Sequence, residues 1–186
     1  MVVDVQNDFA DPAGSLYVAG GEEIVPLVNQ AMGAARTAAS TVVLTQDWHP
    51  AETPHFIESG GVWPVHCVRD TWGAELRPDL DQDADLVLRK GTGGEDGYSA
   101  FMVRDPVTDD VRPTGLAEYL GARGVRQVVV VGIAADVCVK ATAADAHRAG
   151  FETAVVWSAT RAVDLEPGDG ERAAAELRSL GVEVLD

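Results

Sequence analysis

Short runs of β-branched and aliphatic residues alternate with amphipathic or alanine-rich segments along the chain. The apolar runs have the length of strands, and the segments between them have the spacing of helices with one apolar face. The predicted strands cover residues 1–5, 41–47, 83–90, 126–133, 151–159 and 182–185, and the predicted helices cover 21–39, 114–124, 138–149 and 170–181. A loop rich in Pro, His and Trp follows the second strand, and a Gly-rich loop follows the third.

Strands that alternate with helices in this way predict an α/β fold built from βαβ units. Right-handed crossovers place helices on both faces of such a sheet. The expected architecture is therefore a three-layer αβα sandwich around a six-stranded, mostly parallel sheet. No internal repeat, low-complexity tract or linker divides the chain, so the pattern predicts a single domain over residues 1–186.

Composition and charge narrow the class of partner. Hydrophobic residues make up 46% of the chain and charged residues 24%, as in ordinary soluble globular proteins. The net charge of −16 argues against nucleic acid, which requires a basic face, and gives no support for binding to an anionic membrane. No apolar run approaches the roughly 20 residues that cross a bilayer, and no signal peptide is visible. We therefore expect a cytoplasmic protein whose cysteines are free thiols and whose substrate is a small molecule. The protein could also form a homo-oligomer.

Four reactive side chains fall at the predicted carboxyl ends of strands. Asp4 lies in the first strand, Asp47 ends the second, Lys90 ends the third, and Cys138 follows the fourth. In open parallel sheets, ligands bind beyond this edge, near the point where the strand order reverses. The sequence therefore predicts that these side chains meet at one site.

Cys138 has two interpretations. By base rate a cysteine is a buried packing residue more often than a nucleophile. However, its predicted position at a helix N-terminus should lower the pKa of the thiol from about 8.5, and the small residues Gly132, Ala134 and Ala135 would let backbone approach a ligand. With an aspartate and a lysine nearby, the nucleophilic interpretation is favoured. The other cysteine, Cys67, directly follows His66 and could be a thiolate ligand of a metal, but it is expected to be a packing residue.

A second cluster follows the second strand in the segment DWHPAETPHF, residues 47–56. Asp47, His49 and His55, with His66 further along, offer the mixed oxygen and nitrogen donors that suit Zn²⁺, Mn²⁺ or Fe²⁺. Their spacing is not a standard zinc motif, and a loop with incidental histidines is the competing interpretation. Three of the four histidines of the chain lie in this loop, which favours the metal site. His147, in the middle of a predicted helix, is expected to be a surface or packing residue.

Several segments taken together resemble the nicotinamidase branch of the isochorismatase-like cysteine hydrolases. They are VVDVQNDF (2–9), TQDWHP (45–50), PHF (54–56), WPVHCV (63–68), GYSAF (97–101) with Lys90 before it, and VVGIAADVCVKATAADA (130–146). They occur in the same order as in the family. The resemblance runs from residue 2 to about residue 160 and is far more specific than any single motif.

This resemblance implies roles for individual residues. The catalytic triad would be Asp4, Lys90 and Cys138. A divalent metal would be bound by Asp47, His49 and His66, with His55 as a further ligand or a close neighbour; the metal would most simply be Zn²⁺, with Mn²⁺ or Fe²⁺ as alternatives. An aromatic ring would be sandwiched by Phe9, Trp63 and Tyr98. A cis peptide would join Ile133 to Ala134, and the N–H groups of Ala134 and Cys138 would form the oxyanion hole.

The activity implied is hydrolysis of nicotinamide to nicotinate and ammonia through a cysteine thioester, with pyrazinamide as a second substrate. Isochorismate-cleaving relatives lack the thiol and the metal ligands, and carbamoylsarcosine-type amidases keep only the thiol. The alternative activity is hydrolysis of another amide or of a cyclic amide. Two features keep this alternative, because they could reshape the pocket: Val137 beside the cysteine, and the acidic loop GTGGEDGYS at 91–99. A noncatalytic metal-binding domain is the alternative from another class, and it would require a defective triad.

Overall fold

The computed structural model describes the whole chain, residues 1–186. Its strands are β1 (Val2–Val3), β2 (Val43–Asp47), β3 (Leu86–Lys90), β4 (Met102–Arg104), β5 (Val111–Pro113), β6 (Gln127–Ile133), β7 (Glu152–Arg161) and β8 (Glu183–Leu185). Its α-helices are α1 (Asn7–Ala10), α2 (Val25–Thr37), α3 (Leu116–Ala122), α4 (Lys140–Arg148) and α5 (Asp169–Leu180). Three short 3₁₀ helices cover Gly21–Ile24, Ile57–Ser59 and Trp72–Ala74, and a π-helical turn covers Ala135–Val139.

Six strands form one sheet in the order β3-β2-β1-β6-β7-β8, and every neighbouring pair is parallel. The predicted α/β class and six-stranded parallel sheet are therefore confirmed. The strand order reverses between β1 and β6. The crevice beyond the carboxyl ends of these two strands is where an open α/β sheet binds its ligands.

Each face of the sheet has its own apolar cluster, since successive side chains of a strand point to opposite sides. Leu44 and Val131 belong to one apolar cluster, which packs against α1 and α2. Their neighbours Val43 and Val130 belong to a second cluster, which packs against α3, α4 and α5. None of the helices combines the length and the apolar character needed to cross a membrane.

Two of the predicted elements are shorter or less regular than expected. The first strand, predicted over residues 1–5, ends at Val3 because Asp4 adopts a left-handed backbone conformation with φ of 50°. The helix predicted over residues 21–39 begins as a 3₁₀ turn and becomes α-helical only at Val25, followed by Pro26 at a position where proline is tolerated. It ends at Thr37.

The sequence pattern does not predict the small antiparallel hairpin β4–β5. Met102 pairs with Pro113 and Arg104 with Val111. Each strand has only three residues, and the connection carries the charged segment DPVTDD, so neither periodicity nor apolar character marks the strands. The hairpin matters because Asp96, in the acidic loop, pairs with Arg104.

Candidate active site

Asp4 and Lys90 form a buried ion pair beneath the crevice between β1 and β6. Asp4 leaves the end of β1, and its Oδ1 accepts a hydrogen bond of 2.5 Å from the Thr45 hydroxyl. Its Oδ2 accepts a bond of 2.8 Å from Lys90 Nζ. The side chains of Asp4 and Lys90 are completely buried.

The Lys90 ammonium group has an acceptor for each of its three protons. Besides Asp4, it donates to Asp47 Oδ1 at 2.7 Å and to the carbonyl of Gly97. Burial opposes the charged form, but the carboxylates of Asp4 and Asp47 outweigh it and raise the pKa of Lys90 above its ordinary value. Lys90 is therefore a fixed cation between two carboxylates.

At Asp4, burial is the largest influence on the pKa. It raises the pKa of this carboxyl to about 6, against the attraction of Lys90, which lowers it. A carboxylate with this pKa is ionised at neutral pH and still basic enough to accept a proton. Asp4 is thus suited to act as a general base.

Cys138 lies in the π-helical turn between β6 and α4, whereas the sequence predicted a helix that starts at residue 138. Its sulfur lies within 4.8 Å of carboxylate oxygens of Asp4 and Asp47. The prediction of a lowered thiol pKa is wrong. Burial raises the pKa of Cys138 well above its ordinary value, and the attraction of Lys90 only partly opposes this. A neutral thiol with a carboxylate beside it therefore requires proton removal during attack.

The backbone around Gly132 brings β6 close to β1. Gly132 has φ of 119°, and a Cβ at this position would lie 2.1 Å from the carbonyl oxygen of Val3. The close approach places the turn that carries Cys138 beside the end of β1. The Ile133–Ala134 peptide is cis, as the resemblance implies.

The three predicted histidines of the second cluster come together. His49, His55 and His66 are buried, and each offers a ring nitrogen within 4.8 Å of the others. Asp47 Oδ2 lies 3.8 Å from Nε2 of His49 and 3.9 Å from Nε2 of His66. Asp47 therefore connects the two groups, with one oxygen bound to Lys90 and the other directed at the histidines.

The donor set fits a divalent metal. His49 is completely buried, yet neither of its ring nitrogens has a hydrogen-bond partner. An unpaired buried polar atom costs roughly 1–3 kcal/mol, and a metal ion would remove that cost. Burial also lowers the pKa of His66 to about 4, so this ring is neutral and able to coordinate.

Hydrogen bonds at Nδ1 orient the other two rings. His66 Nδ1 lies 2.7 Å from the carbonyl oxygen of Pro64, and His55 Nδ1 lies 2.7 Å from Asp96 Oδ1. In both rings Nε2 is left for a ligand. Metal-binding histidines generally have such a partner on the nitrogen that does not bind the metal.

An aromatic-lined cavity joins the two clusters. Its walls are formed by Phe9, Leu16, Val18, Asp47, His55, Trp63, His66, Tyr98, Ala134, Val137, Cys138 and Val163. The three predicted ring-binding aromatics are all among them, and Trp63 Nε1 donates a hydrogen bond of 2.9 Å to the hydroxyl of Tyr98. Asp4 and Lys90 do not line the cavity, so only the thiol of the predicted triad reaches it.

Other residues near the site were not singled out in the sequence. Thr45, which holds Asp4, looks like any threonine in a strand, and Val163 comes from a distant loop. In the sequence, Asp96 is distinguished only as part of the acidic loop at 91–99. Cys67 belongs to neither ligand cluster and is buried in the apolar core, where its N–H donates to Asp8.

Comparison with known proteins agrees with this geometry. Residues 1–186 match the isochorismatase domain. The nicotinamidase of Acinetobacter baylyi is 42% identical over 201 residues, which cover 98% of this chain and 89% of that protein. The structure of PnC1 from L. infantum in complex with nicotinate has a TM-score of 0.86 and 38% identity, covering 100% of this chain and 90% of that one. The pyrazinamidase of Pyrococcus horikoshii in complex with zinc has a TM-score of 0.85 and 37% identity, with coverage of 100% and 96%. This chain therefore belongs to the isochorismatase family, within its nicotinamidase branch.

Proposed function

We propose that this chain is a metal-dependent amidohydrolase that converts nicotinamide to nicotinate and ammonia, with pyrazinamide as a second substrate. The observation that carries the proposal is one aromatic-lined cavity that has the Cys138 thiol and two of the clustered histidines in its wall. The relative from L. infantum was solved with nicotinate and that from P. horikoshii with zinc, which supports the same ligands here.

The first half of the reaction uses the thiol and the carboxylate beside it. Asp4 accepts the proton of Cys138 as the sulfur attacks the carboxamide carbon, and Lys90 keeps Asp4 ionised until then. The negative charge that develops on the substrate oxygen is accepted by the N–H groups of Ala134 and Cys138. One such donor is typically worth about 2.7–4 kcal/mol in the transition state.

The second half releases both products. Protonated Asp4 delivers its proton to the departing nitrogen, so that ammonia leaves and a thioester remains on Cys138. Asp4, again ionised, then takes a proton from a water molecule that attacks the thioester carbon. The product leaves as the carboxylic acid and loses its proton to solvent, and the sulfur recovers its proton from Asp4.

Asp47, His49 and His66 would hold the divalent metal, with His55 as a further ligand. Zn²⁺ suits this nitrogen-rich set, and Mn²⁺ or Fe²⁺ are the alternatives. When bound, the metal supplies a Lewis-acidic contact for a pyridine or pyrazine nitrogen. Phe9, Trp63 and Tyr98 would hold the ring itself; they come from three separate segments of the chain.

A small neutral amide also agrees with the charge of the protein. A net charge of −16 disfavours polyanionic partners such as nucleic acid. Both cysteines are free thiols, which is typical of a reducing compartment, so we place the reaction in the cytoplasm.

The test is a substrate panel with coupled detection of ammonia, run on metal-loaded protein and repeated after the metal is stripped and restored. We expect ammonia from nicotinamide and pyrazinamide. Cyclic amides release no ammonia when their ring is opened, so they are followed by chromatography of the ring-opened product, and we expect none. Turnover of a cyclic amide without turnover of nicotinamide would reassign the protein to the other amide hydrolases of the family. No hydrolysis of any amide would favour a noncatalytic metal-binding role.

A further inference from the structure

Asp96 is a buried carboxylate that does not line the cavity and belongs neither to the proposed triad nor to the proposed metal ligands. It is only 4% exposed, and it lies in the loop between β3 and β4. Its Oδ1 is 2.7 Å from Nδ1 of His55, a residue that is 41 positions away in the chain and equally buried. No other polar contact of the His55 ring is present.

The second oxygen of Asp96 is held from the hairpin. Oδ2 accepts hydrogen bonds from Arg104 Nη2 at 2.8 Å and Nε at 3.2 Å. The backbone N–H of Asp96 also donates to the carbonyl oxygen of Arg104 at 2.8 Å. Arg104 is the ion-pair partner of Asp96, and its two N–H groups hold the carboxylate in place. Asp96 is therefore an anion with a fixed orientation.

An ionised carboxylate can only accept a hydrogen bond, so the contact requires a proton on Nδ1 of His55. The neutral ring then carries its lone pair on Nε2. This ring stacks on His49 with centroids 4.7 Å apart, and it lies 5.4 Å from the ring of His66. The tautomer that Asp96 selects is thus the one in which the unprotonated Nε2 of His55 can bind a metal ion.

We propose that Asp96 is a positioning residue that fixes His55 as an Nε2 ligand of the metal, and that Arg104 keeps Asp96 aimed at it. The inference rests on the proposed function only in requiring that the histidine cluster binds a divalent ion. It assigns a task to the β4–β5 hairpin, which is to hold the carboxylate that orients a ligand of the metal. It also makes His55 a direct ligand.

The neighbour of Asp96 links this arrangement to the triad. The Gly97 carbonyl accepts a hydrogen bond from Lys90, and a Cβ on Gly97 would lie 2.6 Å from Asp47 Oδ1. Displacement of the Asp96 backbone would therefore disturb Lys90 as well. For this reason, the test must read metal binding and the His55 tautomer directly instead of activity alone.

The first measurement is the dissociation constant for Zn²⁺ of the full-length chain, obtained by competition with a chromophoric chelator. We expect Asp96→Ala to weaken binding by about 10- to 100-fold, the usual effect of removing such a partner. Asp96→Asn keeps an acceptor without the charge and should lie between Asp96→Ala and the parent. Arg104→Gln should weaken binding by a smaller factor.

The matched control is Arg112→Gln. Arg112 lies on the same hairpin and pairs with Glu95, next to Asp96 in the chain, but it does not touch Asp96 or a histidine. We expect the Zn²⁺ affinity of this variant to stay within about twofold of the parent, since exposed ion pairs contribute little. An equal loss of Zn²⁺ affinity in Arg112→Gln and Arg104→Gln would mean that the hairpin affects the metal site only by stabilising the fold. That result would overturn the proposal.

The second measurement is the tautomer of the metal-free protein, read from the ¹⁵N shifts of the histidine rings. We expect His55 to carry its proton on Nδ1 in the parent and in Asp96→Asn, and to become a mixture in Asp96→Ala. His66, whose Nδ1 faces the Pro64 carbonyl, should be unchanged in all variants. If Asp96→Ala does not fold, the Zn²⁺ affinities of Asp96→Asn and Arg104→Gln decide the matter, and affinities equal to that of the parent in both variants would overturn the proposal.

Two outcomes would overturn the inference. One is an unchanged Zn²⁺ affinity in Asp96→Ala together with an unchanged His55 tautomer. The other is a His55→Ala variant that binds Zn²⁺ as tightly as the parent, since His55 would then not be a ligand. Neither outcome depends on which amide is hydrolysed, so a failure here is distinguishable from a failure to release ammonia from nicotinamide.

Discussion

Individual residues at the site differ in charge because of what surrounds each one. Lys90 has all three ammonium protons taken up by acceptors and stays charged although it is buried. Cys138, whose sulfur lies within 4.8 Å of carboxylate oxygens of Asp4 and Asp47, has a raised pKa because burial disfavours the thiolate and outweighs the attraction of Lys90. The ground state at neutral pH is therefore a neutral thiol beside an ionised carboxylate.

The first residue-scale prediction concerns the thiol. Cys138→Ala should abolish amide turnover and leave the fold intact, because loss of one small buried sulfur costs only about 1 kcal/mol of unfolding free energy. Cys67→Ala is the matched control, as it removes the other buried thiol, and it should keep most of the activity. Ammonia release and thermal unfolding of both variants decide the matter. Equal activity of the two variants would remove Cys138 from the mechanism.

A second prediction concerns pH. Asp4 must be ionised to accept the proton, and its pKa is raised from 3.8 to about 6. The value of kcat/KM for nicotinamide should therefore rise with pH through about 6 and level off above it. Asp4→Asn cannot accept the proton and should lower turnover by roughly 10²- to 10⁴-fold. A pH profile that is flat through this range, or near-normal turnover in Asp4→Asn, would contradict the assignment of Asp4 as the base.

At the scale of elements, the site depends on how closely β6 approaches β1. The two-residue β1 pairs Val2 with Val131 and Val3 with Gly132. Beyond that point β1 continues into Asp4, and β6 ends one residue later and continues into the turn that carries Cys138. The distance between base and thiol is thus set by contact between two backbones.

We therefore expect Gly132→Ala to be strongly destabilising. A Cβ would lie 2.1 Å from the Val3 carbonyl oxygen, and φ of 119° is unfavourable for alanine. Backbone strain and overpacking each cost about 1–3 kcal/mol, so the unfolding free energy should fall by roughly 2–6 kcal/mol in denaturant titrations. Gly33→Ala in α2, where a Cβ meets nothing within 4 Å, should stabilise instead by about 0.5–1 kcal/mol. Similar values for the two variants would show that β6 can move away from β1 without cost.

At the scale of the whole molecule, the cavity is assembled from both halves of the sheet. The histidines come from the loop after β2, Tyr98 from the loop after β3, and Cys138 from the turn after β6. Asp47 touches Lys90 on one side and faces the histidines on the other. Under the proposed function, recognition of the ring and attack on the amide would therefore be coupled through shared residues.

A prediction on this scale separates ring recognition from amide chemistry. Benzamide has the carboxamide and the ring of nicotinamide but no ring nitrogen to meet a metal. A site built around a polar contact strongly rejects an analogue that lacks it, so kcat/KM for benzamide should be lower by roughly 100-fold or more, about 2.7 kcal/mol. Removal of the metal, or His49→Ala, should lower the nicotinamide value toward that of benzamide. Pyrazinamide, with an equivalent ring nitrogen, is the control and should remain a good substrate.

Comparable kcat/KM values for benzamide and nicotinamide in the metal-loaded protein would contradict this reasoning. The metal would then hold the loop after β2 without touching the ring, and the hydrolysis of other amides would become the better interpretation.

The sequence by itself determined the layers of the fold and the edge at which reactive residues gather. Apolar periodicity depends on neighbours a few positions apart, so the six parallel strands could be predicted from it. Asp47 and Lys90 could be placed at strand ends because they directly follow apolar runs. The β4–β5 hairpin could not, since its three-residue strands are too short to show a period.

Only the tertiary structure decided the charge states and the long-range pairings. The pKa of Cys138 is raised because the surrounding chain excludes water, whereas a local argument from a helix N-terminus predicted the opposite direction. The contact of His55 with Asp96 joins residues 41 positions apart, and no local pattern encodes it. Desolvation and hydrogen bonding depend on what packs around a group from every side, and that environment exists only once distant segments of the chain have come together.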